Sequence, residues 1–240
     1  MVPWITLDKV PIPGTNGELS LLRHGAEFSI RVNCEELMTS RAHASEEALA
    51  ELACKRIAGR AGAEVLVGGL GMGYTAAAAL KALRPDGKVI VAELLPSVIR
   101  WNRHELAELT GKALVDNDRV IIREIELGQM LREARPESFD AILLDVDNGP
   151  EALTRSGNSW LYSKTGLATA KNVLRPEGIL AVWSATFNNA FVKLLRGAGF
   201  DVDEVHARAR NGTGGKKHTI WLAEKKKERV PSNGNITETK

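Results

Sequence analysis

The residues best suited to chemistry stand where apolar runs end in glycine or acid. "EVLV" leads into "GGLGMG", which places glycines at Gly68, Gly69, Gly71 and Gly73 ahead of an alanine-rich helical stretch. Glycines at such a junction permit positive φ and close approach of backbone to a ligand. The helix behind them points its free N–H groups at the same place. A dinucleotide loop needs G-x-G-x-x-G. Counted from Gly69, the glycines fall at Gly69, Gly71 and Gly73, and Tyr74 occupies the position of the third glycine. That spacing disfavours an NAD-dependent oxidoreductase.

Acids end the runs that follow. Glu93 closes "KVIVAE", 20 positions beyond Gly73. A carboxylate there can accept both ribose hydroxyls of a bound nucleoside. Glu126, in "REIELGQ", is placed to reach an adenine amino group. "FDAILLDVD" brings Asp145 and Asp147. A carboxylate at that point can take a proton from an amine and attract a cationic acceptor. Asp145 is the first choice for the base and Asp147 the second. Glu47, Glu151, Trp160 and Tyr162 are candidates to line the acceptor pocket. Trp101, Trp183 and Trp221 lie in periodic apolar segments and read as core. The histidines have no metal-ligand spacing, so no metal is expected.

These residues need a scaffold. Residues 1–42 carry short alternating runs separated by Pro13-Gly14, Asn16-Gly17 and His24-Gly25. They predict a small antiparallel β-hairpin domain of two or three strands. So small a sheet must pack on something else, either the main domain or a second copy in a homodimer. Ser45 reads as an N-cap, with Glu46 and Glu47 in the first turn of a helix carrying Leu49, Leu52, Ala53 and Ile57. Thereafter apolar strands alternate with amphipathic helices, which predicts a mostly parallel sheet covered on both faces over residues 43–224. One helix is expected over "PSVIRWNRHELAELTG". "FDVDEVHARAR" and "KKHTIWLAEK" read as a closing antiparallel pair. Residues 225–240, with the run Lys225 to Lys227, are polar and aperiodic and read as a disordered, solvated tail.

The chain has 240 residues, 44% hydrophobic and 26% charged, with a formal net charge of +2. That balance gives no reason to expect nucleic acid or a membrane surface as partner. Two cysteines make no disulfide framework. With no signal-peptide pattern and no long apolar span, a cytoplasmic protein is expected.

The glycine spacing is similar to the nucleotide loop of class I S-adenosylmethionine (SAM) methyltransferases. The hairpin domain, "EEALAELAC", the glycine loop and "ILLDVDNGP", in this order, resemble the spermidine synthase group of that fold. The resemblance covers the chain up to Ala223. It implies an α/β, Rossmann-like fold with a mostly parallel seven-stranded sheet and an antiparallel C-terminal strand. It also implies binding of SAM or decarboxylated S-adenosylmethionine, and in-line attack by a small amine on a sulfonium carbon. Three positions depart from the pattern. The family's loop reads G-G-G-D-G-G, and Gly71 stands at its aspartate. The family's D-S-S-D-P becomes "DVDNGP", where Asp145 matches the first acid and Asn148 replaces the second. Ser45 replaces a tyrosine, while Glu47 matches the helix glutamate. Both methyl and aminopropyl transfer stay open, and the missing loop acid tilts the balance to methyl. The alternative is a catalytically idle nucleoside-binding module.

Overall fold

The computed structural model describes residues 3–111, 114–145, 159–210 and 215–226. Near the N-terminus lies a four-stranded antiparallel meander: β1 (Ile5–Pro11), β2 (Glu18–His24), β3 (Glu27–Val32) and β4 (Glu35–Thr39). The strand beyond the expected two or three is β4, whose "EELMT" is too short and too acidic to announce itself. One face of the meander buries Leu19, Leu21 and Ile30. It is tied to the main domain through Asp8, whose carboxylate accepts from Trp101 Nε1 at 2.8 Å and from Arg100.

The main domain runs α1 (Ala44–Arg56), β5 (Glu64–Gly68), α2 (Tyr74–Ala82), β6 (Lys88–Glu93), α3 (Pro96–Arg103), β7 (Val120–Glu124) and α4 (Leu127–Glu133). It continues with β8 (Phe139–Leu144), α5 (Lys164–Val173), β9 (Leu174–Ser184), α6 (Asn189–Gly197), β10 (Phe200–Arg208) and β11 (Lys217–Lys225). The sheet order is β10-β11-β9-β8-β5-β6-β7. Five central strands, β7 to β9 in that order, are parallel, and β11 is antiparallel to both its neighbours. This is the Rossmann-like arrangement expected from the alternating elements.

Alternation along the strands divides the core in two. Val65, Val67, Val89, Val91 and Leu143 face α1, α2, α3 and the small sheet, in one cluster with Leu49, Ala79 and Trp101. Leu66, Ile90, Ile142 and Leu144 face the other way, in a cluster with Leu131, Leu167 and Leu195 of α4, α5 and α6. Each large side chain so buried contributes about 1.5–3 kcal/mol. Apolar residues on both faces are why these strands read as unbroken hydrophobic runs.

Several local expectations change. α1 begins at Ala44 with His43 at its N-cap, and Ser45 is buried inside the first turn. The Ser45 hydroxyl is spent on His218 Nδ1, 2.8 Å away, and not on capping. α3 stops at Arg103, well short of Gly111. There the Leu106 N–H reaches back to Trp101 O at 2.8 Å, and Leu106 turns fully into the core. Burial of that leucine outweighs the helical pattern of the residues after it. At the other end β11 takes in Lys225, assigned above to the tail. Its buried Nζ donates to Leu174 O at 2.6 Å. No described helix is long and apolar enough to cross a membrane.

Candidate functional site

The chain winds outward from β5 through β6 to β7, then returns to lay β8 on the other side of β5. The switch point therefore lies between β5 and β8, where Gly68 pairs with Leu144 and, across the other edge, with Ala92. Ligands bind at such points beyond the strand ends. The residues just past these ends are Gly69, Glu93 and Asp145. All three line one cavity of about 200 Å³.

The glycine loop is shaped by backbone conformation. Gly69, Gly71 and Gly73 have φ of 83°, 52° and 86°. Gly73 is the N-cap of α2, and a Cβ there would sit 2.8 Å from Leu114 Cδ2 and 2.9 Å from Asn102 Oδ1. Glycine is required at Gly73 for conformation and space together. Asn102 Nδ2 fixes the loop by donating to Gly71 O at 2.8 Å. A Cβ on Gly71 would meet only the tip of Met38, with Cε at 3.0 Å and Sδ at 3.1 Å. Thus the place of the family's loop acid is covered here by a thioether from β4.

Glu93 is buried and braced. It accepts from Leu70 N–H at 2.9 Å and Leu95 N–H at 2.7 Å. Burial pushes its carboxyl above the usual range, against the pull of those N–H groups. The carboxylate keeps acceptor capacity for a hydroxyl. Glu126 lines the cavity as the N-cap of α4, accepting from Gly128 N–H at 2.8 Å and Gln129 N–H at 2.9 Å. Leu94, Leu95, Val98 and Ile125 lie between these two acids and form an apolar wall suited to a flat base.

Across the cavity the chemistry differs. Asp145 accepts from the Thr75 hydroxyl, and burial pushes its pKa up to about 6 despite that bond. Glu46, in the first turn of α1, also lines the cavity. Its carboxyl makes no hydrogen bond or ion pair with any described residue. Burial first, then Asp145 and Glu47, push it well above the usual carboxylate range. Ile12, Leu19, Ile30, Val32, Leu37 and Met38 of the small sheet roof the space, and Trp183 closes one side. The small sheet is thus a wall of the site, not an appendage.

The remaining predicted residues are scattered. Glu47 turns away to His43, with Oε1 3.1 Å from Nδ1, and does not line the cavity. Trp160 packs beside Glu126 and α4, with the Arg132 guanidinium 4.7 Å above its ring. Tyr162 lies in the opposite core against Phe191, ring centroids 5.6 Å apart. Asp147 and Glu151 fall outside the described residues. Trp101 and Trp221 are core, as expected, but Trp183 is a wall of the site.

Glu46, Thr75, Met38 and Trp183 escaped the sequence reading. For Glu46 a signal existed: it shares a helical stripe with Ala50 and Ala53, both buried, whereas Glu47 shares one with exposed Glu51. For Trp183, the face shared with Ile179 and Ala181 and its place near the carboxyl end of β9 were signals. Thr75 and Met38 offered none.

No protein-family model and no curated protein matches this sequence. Solved structures do. A spermidine synthase in complex with the transition-state analogue AdoDATO matches with a TM-score of 0.69, at 16% identity, over 92% of this chain and 72% of that one. The spermidine synthase from Thermotoga maritima matches with a TM-score of 0.71, at the same identity and the same coverage of both chains. With its seven-stranded mostly parallel sheet and its small N-terminal sheet, this chain has a spermidine synthase-like fold.

Proposed function

We propose that this chain is a transferase that binds a nucleoside sulfonium, SAM or decarboxylated SAM, and passes an alkyl group to a small amine. The observation that carries the reading is the register at the switch point. Gly68 pairs with Ala92 on one side and Leu144 on the other, so the glycine loop stands between Glu93 and Asp145 around one cavity. Glu93 would take the ribose hydroxyls. Glu126 and the apolar wall would take the base, and the loop backbone would pass under the sulfur.

The donor supplies an alkyl carbon already activated by positive sulfur, so forming C–N and breaking C–S returns an electron pair to sulfur. The protein's part is positioning and proton removal. Asp145 accepts the proton from the acceptor's ammonium and frees its lone pair for attack. With its pKa raised to about 6, Asp145 is mostly ionised at neutral pH yet more basic than an ordinary aspartate. Thr75 orients it. Methyl and aminopropyl transfer differ in which carbon on sulfur is presented to the amine. The tilt to methyl drawn from Gly71 weakens once Glu46 is counted, because the cavity still offers an acid to an amine-bearing donor.

Calorimetry with SAM, decarboxylated SAM and methylthioadenosine tests the reading, and failure of all three to bind refutes it. Incubation with labelled donor and a panel of small amines then separates an enzyme from an idle module. Turnover lost in Asp145→Asn supports the enzyme.

A further inference from the structure

We propose that Glu46 is the cation anchor of this cavity: with Asp145 it forms a two-carboxyl site that receives an ammonium group of the nucleoside donor. The inference rests on the functional reading above and deepens it, since that reading counts Glu46 only as an acid of the cavity.

Three observations carry it. First, the Glu46 carboxyl faces the cavity with no hydrogen-bond or ion-pair partner among the described residues. A half-buried carboxyl lining an acidic cavity favours a cationic partner. Second, the described residues lining the cavity include Glu46, Glu93, Glu126 and Asp145 but no lysine, arginine or histidine. Glu93 and Glu126 already hold backbone N–H groups. Among the described residues Glu46 holds none and Asp145 holds the Thr75 hydroxyl. A cationic ligand supplies what these two lack. Third, Glu46 lies over the first turn of α2, where Thr75 Oγ1 is 3.5 Å from Glu46 O. That turn follows directly on the glycine loop. Met38 closes the position beside Gly71, so the anchoring charge has moved from the loop to the facing helix.

The electrostatic surroundings are mostly acidic. Glu46 is faced by Asp145 from the end of β8 and by Glu47 on its own helix. From α2 it is faced by the Tyr74 hydroxyl, whose own ionisation Glu46 opposes. His43 stacks on Tyr74 with ring centroids 4.1 Å apart and holds Glu47, and His218 is bonded to Ser45. Two neighbouring carboxyls in such a place retain a proton when the cavity lacks a cation. Seating an ammonium group lets both ionise, so binding releases that proton to solvent.

Calorimetry in buffers of different ionisation enthalpy reads the proton directly. Decarboxylated SAM, which carries an ammonium group, is compared at pH 6.5 with methylthioadenosine, which carries none. Wild-type protein is expected to release up to about one proton with the first ligand and none with the second. Glu46→Gln keeps the shape and removes the charge. It is expected to weaken decarboxylated SAM by at least tenfold, to abolish most of the proton release, and to leave methylthioadenosine affinity within about twofold. Methylthioadenosine affinity also shows that the variant is folded. Equal effects of Glu46→Gln on both ligands, or no effect on either, overturn the anchor and leave the nucleoside reading standing. Loss of binding for both ligands in wild-type protein overturns the two together.

Discussion

Strand β8 carries one aspartate near its start and another just past its end, and the two live in opposite chemistry. Asp140 is 2% exposed and saturated with donors: Arg60 Nη1 at 2.9 Å, the Glu64 N–H at 2.8 Å, and Arg175. It braces the N-terminal edge of the sheet, tying β8 to the start of β9 and to the α1–β5 turn. Asp145, among the described residues, has one hydroxyl donor, faces a cavity, and binds its proton more tightly than usual. A carboxylate matched with donors is structure. One left short of donors beside a cavity is available for chemistry. The parallel sheet makes this division, because ligands are received only beyond the carboxyl ends of its strands.

Substitutions can break the comparison. The largest effect is expected for Asp145→Asn in the transferase assay, a fall of roughly 10²–10⁴-fold in turnover, whereas Asp140→Asn should leave the turnover of folded protein within about threefold. In urea denaturation the order reverses. Asp140→Asn should cost about 3 kcal/mol, because Arg60 and Arg175 lose a buried partner. A stability loss from Asp145→Asn as large as that from Asp140→Asn would erase the distinction.

The pH dependence has a definite sign. The Asp145 pKa is raised from 3.8 to about 6 in the folded protein. The native state therefore binds this proton more tightly than the unfolded chain, and this group's contribution to stability falls as pH rises from about 4 to about 6. Asp145→Asn should accordingly match wild type at pH 4 and be more stable by about 2 kcal/mol at pH 7. Paired denaturation curves at the two pH values check it. Thr75→Val removes the hydroxyl that donates to Asp145 and should move the acid limb of the pH–rate profile upward by up to about one unit. The smallest effect is expected for Arg60→Ala, about 1 kcal/mol of stability and no change in the pH–rate profile, since Arg175 and the Glu64 N–H still hold Asp140.

Much of the proposed nucleoside side could be read from the chain. Gly69, Gly71, Gly73 and Glu93 depend on local spacing at strand ends, and the structure brings all four to the switch point. Glu126 lies two residues beyond β7, lines the cavity, and caps α4. The proposed amine side was harder to read. Its members come from α1, α2, β4 and β9, far apart in sequence, and only packing brings them together. The choice of Glu47 over Glu46 illustrates the problem, since one step along a helix turns a side chain by about 100°. Tyr162 followed a polar loop and looked available, yet burial against Phe191 claimed it.

Sequence alone determined the alternating α/β architecture, the loop conformation and the acid after each strand, because those depend on local periodicity, glycine and turn chemistry. Tertiary structure decided three further things. It slid β11 between β9 and β10. It folded the small sheet over the cavity, so that Met38 covers Gly71. And it brought Glu46 and Asp145 to one cavity whose described lining residues include no lysine, arginine or histidine. Each depends on which surfaces bury one another, a long-range outcome that no local pattern encodes.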